Sequence, residues 1–146
     1  FIKDILVSLR IDSFAERSVD ELSSGERSRV MLARALVGNP DLLLADEPIA
    51  SLDPYYQLET MDFLRRQIDR GMGAIVTIHD LTLATRYCDR IVILARGVVE
   101  DSGPPKSVLT AELMRRLYSI EAEISNSDPD YVLPMKTVDR SEEKAL

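Results

Sequence analysis

The chain has 146 residues, 45% of them hydrophobic and 29% charged, with a formal net charge of -7. That is the composition and length of about one globular domain, and with Cys88 as the sole cysteine it excludes both a disordered tail and a disulfide framework. Acids and bases number six and six in residues 1–40, ten and six in 41–100 and nine and six in 101–146, so no segment is basic enough to attract duplex nucleic acid.

The first element is a helix in "FIKDILVSL", with Ile2, Ile5, Leu6 and Leu9 on one stripe. Because the chain opens at Phe1 inside that pattern, it is expected to be a piece of a longer protein. Next, "LSSGERSRV" (residues 22–30) runs two serines and a glycine into a second helix. Its inward residues are predicted to be Val30, Ala33, Leu36 and Val37, and Gly38-Asn39-Pro40 closes it. The first N–H groups of a helix lack intrahelical partners and sit at its positive end, so a small-residue entry lets a phosphate approach. Taken alone, the stretch would be an ordinary Ser-capped helix.

"DLLLADEP" reads as a strand, Leu42–Ala45, buried on both faces and stopped by two carboxylates and Pro48. Asp53 and Pro54 start a helix with Leu58, Met61, Leu64 and Ile68 inward, ended by Gly71. "GAIVTIHD" is a second buried strand, Asp80 starts a short helix through Cys88, and "RIVIL" is a third strand. Alternating strands and helices imply a parallel sheet with right-handed crossovers. "GVVEDSGPP" suggests a hairpin arm or edge strand, Thr110 caps a helix carrying Leu113 and Leu117, and "IEAEI" alternates as a half-buried strand. From Ser125 the chain is mostly polar, and "DRSEEKAL" reads as a solvated tail. Cys88, the methionines and the Tyr55-Tyr56 pair read as packing residues. No apolar run reaches the ~18 residues of a membrane span, so any membrane contact is peripheral.

Strands of a parallel sheet present their carboxyl ends at one edge, where ligands bind. One strand ends in Asp46-Glu47 and another in His79-Asp80, so two carboxylates and the only histidine converge there. Phosphoryl transfer needs a carboxylate-held metal, a group that orients or deprotonates water, and donors to the terminal phosphate. Asp46 can hold magnesium through water, Glu47 can act as base, and His79 can donate to the phosphate.

Four stretches in order carry a family resemblance. "LSSGE" resembles the signature motif of ABC transporter ATPases, "LLLADEP" their Walker B strand with its catalytic glutamate, "SLDP" their D-loop and "TIHD" their switch-histidine loop. The similarity covers about residues 1–124. It implies an α/β fold with a P-loop NTPase-type parallel sheet, flanking helices and part of the ABC helical subdomain. The division is then 1–40 for the helical-subdomain part, 41–124 for the C-terminal part of the ATPase core and 125–146 for a polar tail. The implied ligands are ATP and Mg2+. Asp46 becomes the magnesium-site carboxylate, Glu47 the general base and His79 the γ-phosphate sensor. Ser23, Ser24, Gly25 and Glu26 become nucleotide contacts, and Asp53 links two composite sites. In the family, the signature closes over ATP held by a second ATPase subunit in a head-to-tail dimer, and transmembrane permease subunits dock alongside. The place implied is the cytoplasmic face of the membrane.

Two departures are small, Ser24 for the usual glycine and Glu26 for the usual glutamine of LSGGQ. One is large: no G-x-x-G-x-G-K-[ST] run exists, and Gln57 and Gln67 both follow the signature, so the P-loop half is expected to be missing. "HDLTLATRYCDRIVIL" and "YYQLETMDFLRRQIDRG" look most like importers of ferric siderophores, haem or cobalamin. Two alternatives are a chromosome-maintenance ATPase, which would carry long heptads beside the signature, and a non-catalytic interaction fragment. By analogy with the common P-loop core, a strand belongs between "AIVTI" and "RIVIL". Residues 74–78 and 91–94 are therefore predicted not to be ladder partners, since two inter-strand steps of ~4.8 Å would separate them.

Overall fold

A computed structural model describes residues 2–125, 127 and 129–139. The chain divides into two units, Phe1–His79 and Asp80–Leu146.

The first unit runs α1 (Ile2–Ser8), two 3-10 turns, α2 (Ser24–Leu36), β1 (Leu42–Ala45), α3 (Pro54–Ile68) and β2 (Gly73–Val76). Within the α1 stripe Ile5 and Leu9 are buried, while Ile2 stays open. α2 buries Arg29, Leu32, Ala33 and Leu36; Val30 is only half-buried and Val37 is exposed. The buried face is turned from the one expected because the Arg29 guanidinium is drawn inward. It donates through one nitrogen to Leu9 O at 2.9 Å and Arg10 O at 3.1 Å, and stacks 4.0 Å over the Tyr56 ring. α3 begins at Asp53, whose carboxylate accepts the Tyr56 N–H at 3.1 Å, with Pro54 in the first turn. It buries Met61 and Leu64 as the spacing predicts, with Thr60 and Phe63 in place of Leu58 and Ile68. Gly71, at φ 109°, turns the chain out of the helix while the Met72 N–H returns to Gln67 O at 3.2 Å.

β1 and β2 pair in parallel from Leu42↔Gly73 to Ala45↔Val76, and the Thr77 N–H extends the ladder to Ala45 O at 3.1 Å. One face of this pair is covered and the other is not: Leu43 is 4% exposed, whereas Leu42, Leu44 and Ile75 are 53%, 69% and 64% exposed. The expectation of a strand buried on both sides therefore fails among the described residues. An apolar run permits burial on both faces, but cover for the second face must come from another layer.

The second unit runs α4 (Leu81–Tyr87), β3 (Ile91–Ala95), β4 (Val98–Gly103), α5 (Pro105–Val108) and α6 (Ala111–Leu113). A π-helical turn at Met114–Tyr118 follows, then β5 (Ile120–Ser125) and β6 (Tyr131–Thr137). Asp80 caps α4 by accepting the Leu83 N–H at 2.9 Å, and Thr110 caps α6 through the Leu113 N–H at 3.1 Å. β3 and β4 form an antiparallel hairpin closed by Arg96 and Gly97, at φ 52° and 79°, the two positive values a tight primed turn requires. "GVVEDSGPP" is thus the hairpin arm expected of it, and the two-residue turn makes antiparallel β4 the ladder partner of "RIVIL" among the described residues.

Among the described residues the strands make three two-stranded sheets, β1 with β2, β3 with β4 and β5 with β6. Val108, Leu109, Leu113 and Met114 form the core of the second unit together with Val132 of β6. β6 falls in the stretch read as a polar tail. Its Val132 is 3% exposed, and the Thr82 hydroxyl donates to Val132 O at 3.0 Å and accepts the Val132 N–H at 3.1 Å. Pro134 and Lys136 break the alternation that would have revealed it. Residues 140–146 of the acidic end lie outside the described ones. Cys88 is half-buried, and burial pushes its thiol above the ordinary range, in keeping with a packing role. No helix among the described residues is long and apolar enough to cross a membrane.

Candidate functional site

The parallel register of β1 and β2 places Asp46 and Glu47 beside the segment Thr77–His79. The Thr77 hydroxyl donates to Asp46 Oδ1 at 2.6 Å and accepts the Glu47 N–H at 2.7 Å. His79 Nε2 donates to Glu47 Oε1 at 2.7 Å. Asp46, Glu47 and His79 thus meet at one sheet edge as expected, with the Asp46 carboxylate joined to the Glu47 backbone through Thr77, a residue not singled out from sequence, and His79 bonded directly to the Glu47 carboxylate. Glu47 sits at φ 46°, a left-handed conformation costing a non-glycine residue about 1–3 kcal/mol, of the kind that clusters at functional sites. The His79 and Glu47 side chains are 82% and 44% exposed, so solvent screens their pairing. Asp46 is also exposed. With Oδ1 on Thr77, its second oxygen has no hydrogen-bond partner among the described residues and can hold a hydrated cation. Among the described residues no group of three or more His, Cys, Asp or Glu could cage a metal. A lone carboxylate is a donor set suited to magnesium that keeps its waters and takes its other ligands from phosphate.

The second cluster is the start of α2. The Ser23 hydroxyl accepts the Glu26 N–H at 3.3 Å and Glu26 Oε2 accepts the Ser23 N–H at 2.8 Å, a reciprocal capping box. Arg17 donates to Glu26 Oε1 at 3.1 Å, so both carboxylate oxygens are occupied and the charge is countered. The N–H groups of Ser24 and Gly25, in the first turn, come before any intrahelical acceptor and have no hydrogen-bond partner among the described residues. Backbone and hydroxyl bonds to Ser23, with Arg17, lower the Glu26 pKa. A lowered folded pKa means that the ionised box contributes stability above the ordinary value of 4.5 and loses it as the pH falls through the lower folded value. Glu26→Gln is expected to keep the box, since an amide oxygen accepts the same N–H, and to remove this acid sensitivity. Melting temperatures from pH 3 to 7 check it: a parallel acid slope in both proteins would sink the assignment.

The loop after β1 leads to this helix start. The Ala50 N–H bonds Glu47 O at 3.2 Å and the Leu52 N–H bonds Ile49 O at 3.1 Å, successive turns that carry the chain from Glu47 to Asp53. Ser51 then meets α2: its hydroxyl lies 2.7 Å from that of Ser28, and a Cβ on Gly25 would sit 2.9 Å from Ser51 O. Gly25 is required by this close approach. Asp53 is seen as the α3 cap. No hydrogen bond among the described residues joins Ser23–Glu26 to Asp46, Glu47 or His79. Besides Thr77, the residues missed from sequence are Ser28, Ser51 and Arg29; an arginine one turn before Leu32 and Ala33 was the only available signal for the last.

The ABC transporter family profile matches residues 2–50. A cobalamin import ATP-binding protein of Halobacterium salinarum is 46% identical over 120 residues, covering 82% of this chain and 30% of that protein. A hemin import ATP-binding protein of Rhodococcus jostii is 44% identical over 112 residues, 77% of this chain and 38% of that one. The chain thus spans about a third of these relatives' length. Among solved structures, an ATP-binding cassette dimer bound to ADP and Pi matches with a TM-score of 0.66 and 32% identity, over 70% of this chain and 45% of that one. An inward-facing metal-chelate type ABC transporter matches in fold with a TM-score of 0.77 at 21% identity, over 92% of this chain and 56% of that one.

Proposed function

From the premise that this chain belongs to the ABC transporter family, we propose that it supplies the signature, Walker B, D-loop and switch-histidine parts of an ATP-hydrolysing subunit that powers import. The observation that carries this reading is the hydrogen-bonded set Asp46–Thr77–Glu47–His79 at the carboxyl ends of two parallel strands. Residues 1–40 then belong to the helical subdomain and 41–124 to the ATPase core. Asp46 would hold magnesium through water, and bound magnesium would neutralise charge developing on the phosphates. Glu47 takes the proton of the attacking water. His79 cannot give one N–H to both Glu47 and a phosphate. Its exposed pairing with Glu47 is worth only ~0.2–1 kcal/mol, so an arriving phosphate can claim the donor and leave the Glu47 carboxylate free to act as base.

Ser24 and Gly25 offer their N–H groups to ATP held by a second subunit in a head-to-tail pair, with Asp53 linking the two sites. A permease completes the assembly at the cytoplasmic face of the membrane. The cargo class is a large metal chelate such as hemin or cobalamin, suggested by the two relatives. Mg-ATP hydrolysis by the subunit carrying these residues is the direct test, and its absence in the permease-bound complex would overturn the reading. The 146-residue chain itself is expected to show no binding of Mg-ATP at micromolar concentration in a calorimetric titration. It offers the acidic edge without a glycine and lysine cradle for the β and γ phosphates. Tight binding would contradict this.

A further inference from the structure

We propose that Thr77 is a positioning residue that sets both carboxylates of the site, an assignment that rests on the function proposed above. Thr77 directly follows β2, and its N–H still bonds Ala45 O at 3.1 Å, which delivers its side chain beside the end of β1. Its hydroxyl works in both directions, donating to Asp46 Oδ1 at 2.6 Å and accepting the Glu47 N–H at 2.7 Å. A hydroxyl can donate and accept through one atom, which neither a methyl nor a carboxylate can do.

Two consequences follow from that one atom. One oxygen of Asp46 is pinned by a short charge-assisted bond, so the other is presented in a single orientation for a hydrated cation. Glu47, at φ 46°, holds a backbone conformation uncommon for a residue with a side chain. The bond to its N–H anchors that conformation, and with it the direction of the carboxylate that meets His79 Nε2 at 2.7 Å. Thr77 reaches no reacting atom itself; it acts through Asp46 and Glu47.

A competing explanation is that threonine stands here because β-branched residues suit strands. The two explanations order substitutions oppositely. Valine keeps the branched shape and loses both hydrogen bonds, whereas serine keeps the hydroxyl and loses a methyl. In the ATP-binding subunit carrying these residues, Thr77→Ser is expected to stay within about 2-fold of wild-type turnover. Thr77→Val is expected to lose roughly 10-fold or more in kcat and to require several-fold more Mg2+ for half-maximal rate, with KM for ATP little changed.

The reverse order, with valine active and serine impaired, would overturn the inference. Should Thr77→Val fail to fold, Thr77→Ala against Thr77→Ser reads the same hydroxyl contrast. Asp46→Asn separates the two layers of the reading. If it shifts the Mg2+ requirement while Thr77→Val does not, the role of Thr77 fails and the proposed function stands. If Asp46→Asn leaves that requirement unchanged, the metal role of Asp46 fails and this inference falls with it.

Discussion

Replacing Glu47 by glutamine is expected to reduce ATP turnover of the subunit by ~10²–10⁴-fold, the usual worth of a positioned general base, while leaving ATP binding intact. The amide keeps the shape of the side chain, and its oxygen still accepts from His79 Nε2, which lies 2.7 Å from Glu47 Oε1 in the wild type. The Glu47 N–H keeps its bond to the Thr77 hydroxyl, so the φ 46° backbone is retained. What the amide lacks is a basic lone pair able to take a proton from water. ATP that binds but does not turn over should then accumulate the closed pair of subunits, visible as a dimer in size-exclusion chromatography with Mg-ATP. Near wild-type turnover would remove Glu47 from the base role and leave the Asp46 side of the cluster to account for catalysis.

Ser23→Arg should block hydrolysis almost as fully, but in the neighbouring subunit. Under the proposed head-to-tail pairing, the start of α2 faces ATP held by the partner, and an arginine there fills the space a phosphate would enter. The substitution also removes the cap that Ser23 gives the Glu26 N–H, at a cost of about 1 kcal/mol. Ser23→Ala carries that structural loss without the bulk and should retain much of its turnover. Mixed with a subunit disabled in its own phosphate loop, the Ser23→Arg subunit should restore one of the two composite sites and therefore measurable activity. If the variant instead loses nucleotide affinity as an isolated monomer, the helix start acts within its own subunit and the pairing is wrong.

The parts of the site carried by local chemistry were legible in the residues. Asp53 and Asp80 announced their helix starts because a carboxylate ahead of a helix can accept an orphan N–H whatever the rest of the fold does. Asp46, Glu47 and His79 could be placed at one edge because parallel strands end on the same side. Thr77 was not legible: a threonine in a strand has no signature of its own. Its two bonds exist only because the register aligns Val76 with Ala45 and carries Thr77 past the end of β1. Arg29 was missed for a related reason. Helical periodicity gives the stripe but treats a charge as an outward residue, and only the carbonyls of Leu9 and Arg10 with the Tyr56 ring make it an inward one.

By itself, then, the sequence determined the helix starts at Ser24, Pro54, Leu81 and Ala111, the parallel pairing of β1 and β2 and the convergence of Asp46, Glu47 and His79 at their carboxyl ends. These follow from interactions within a few residues, or from the rule that parallel strands share an orientation. Only the tertiary structure decided which face of β1 is covered and that Tyr131–Thr137 is a strand with Val132 in the core. It alone also decided that Gly25 must lack a side chain because Ser51 O approaches it, and that one hydroxyl binds Asp46 to Glu47. Each of those depends on which distant segment arrives beside a residue, and neither hydrophobic period nor capping preference encodes the identity of that neighbour.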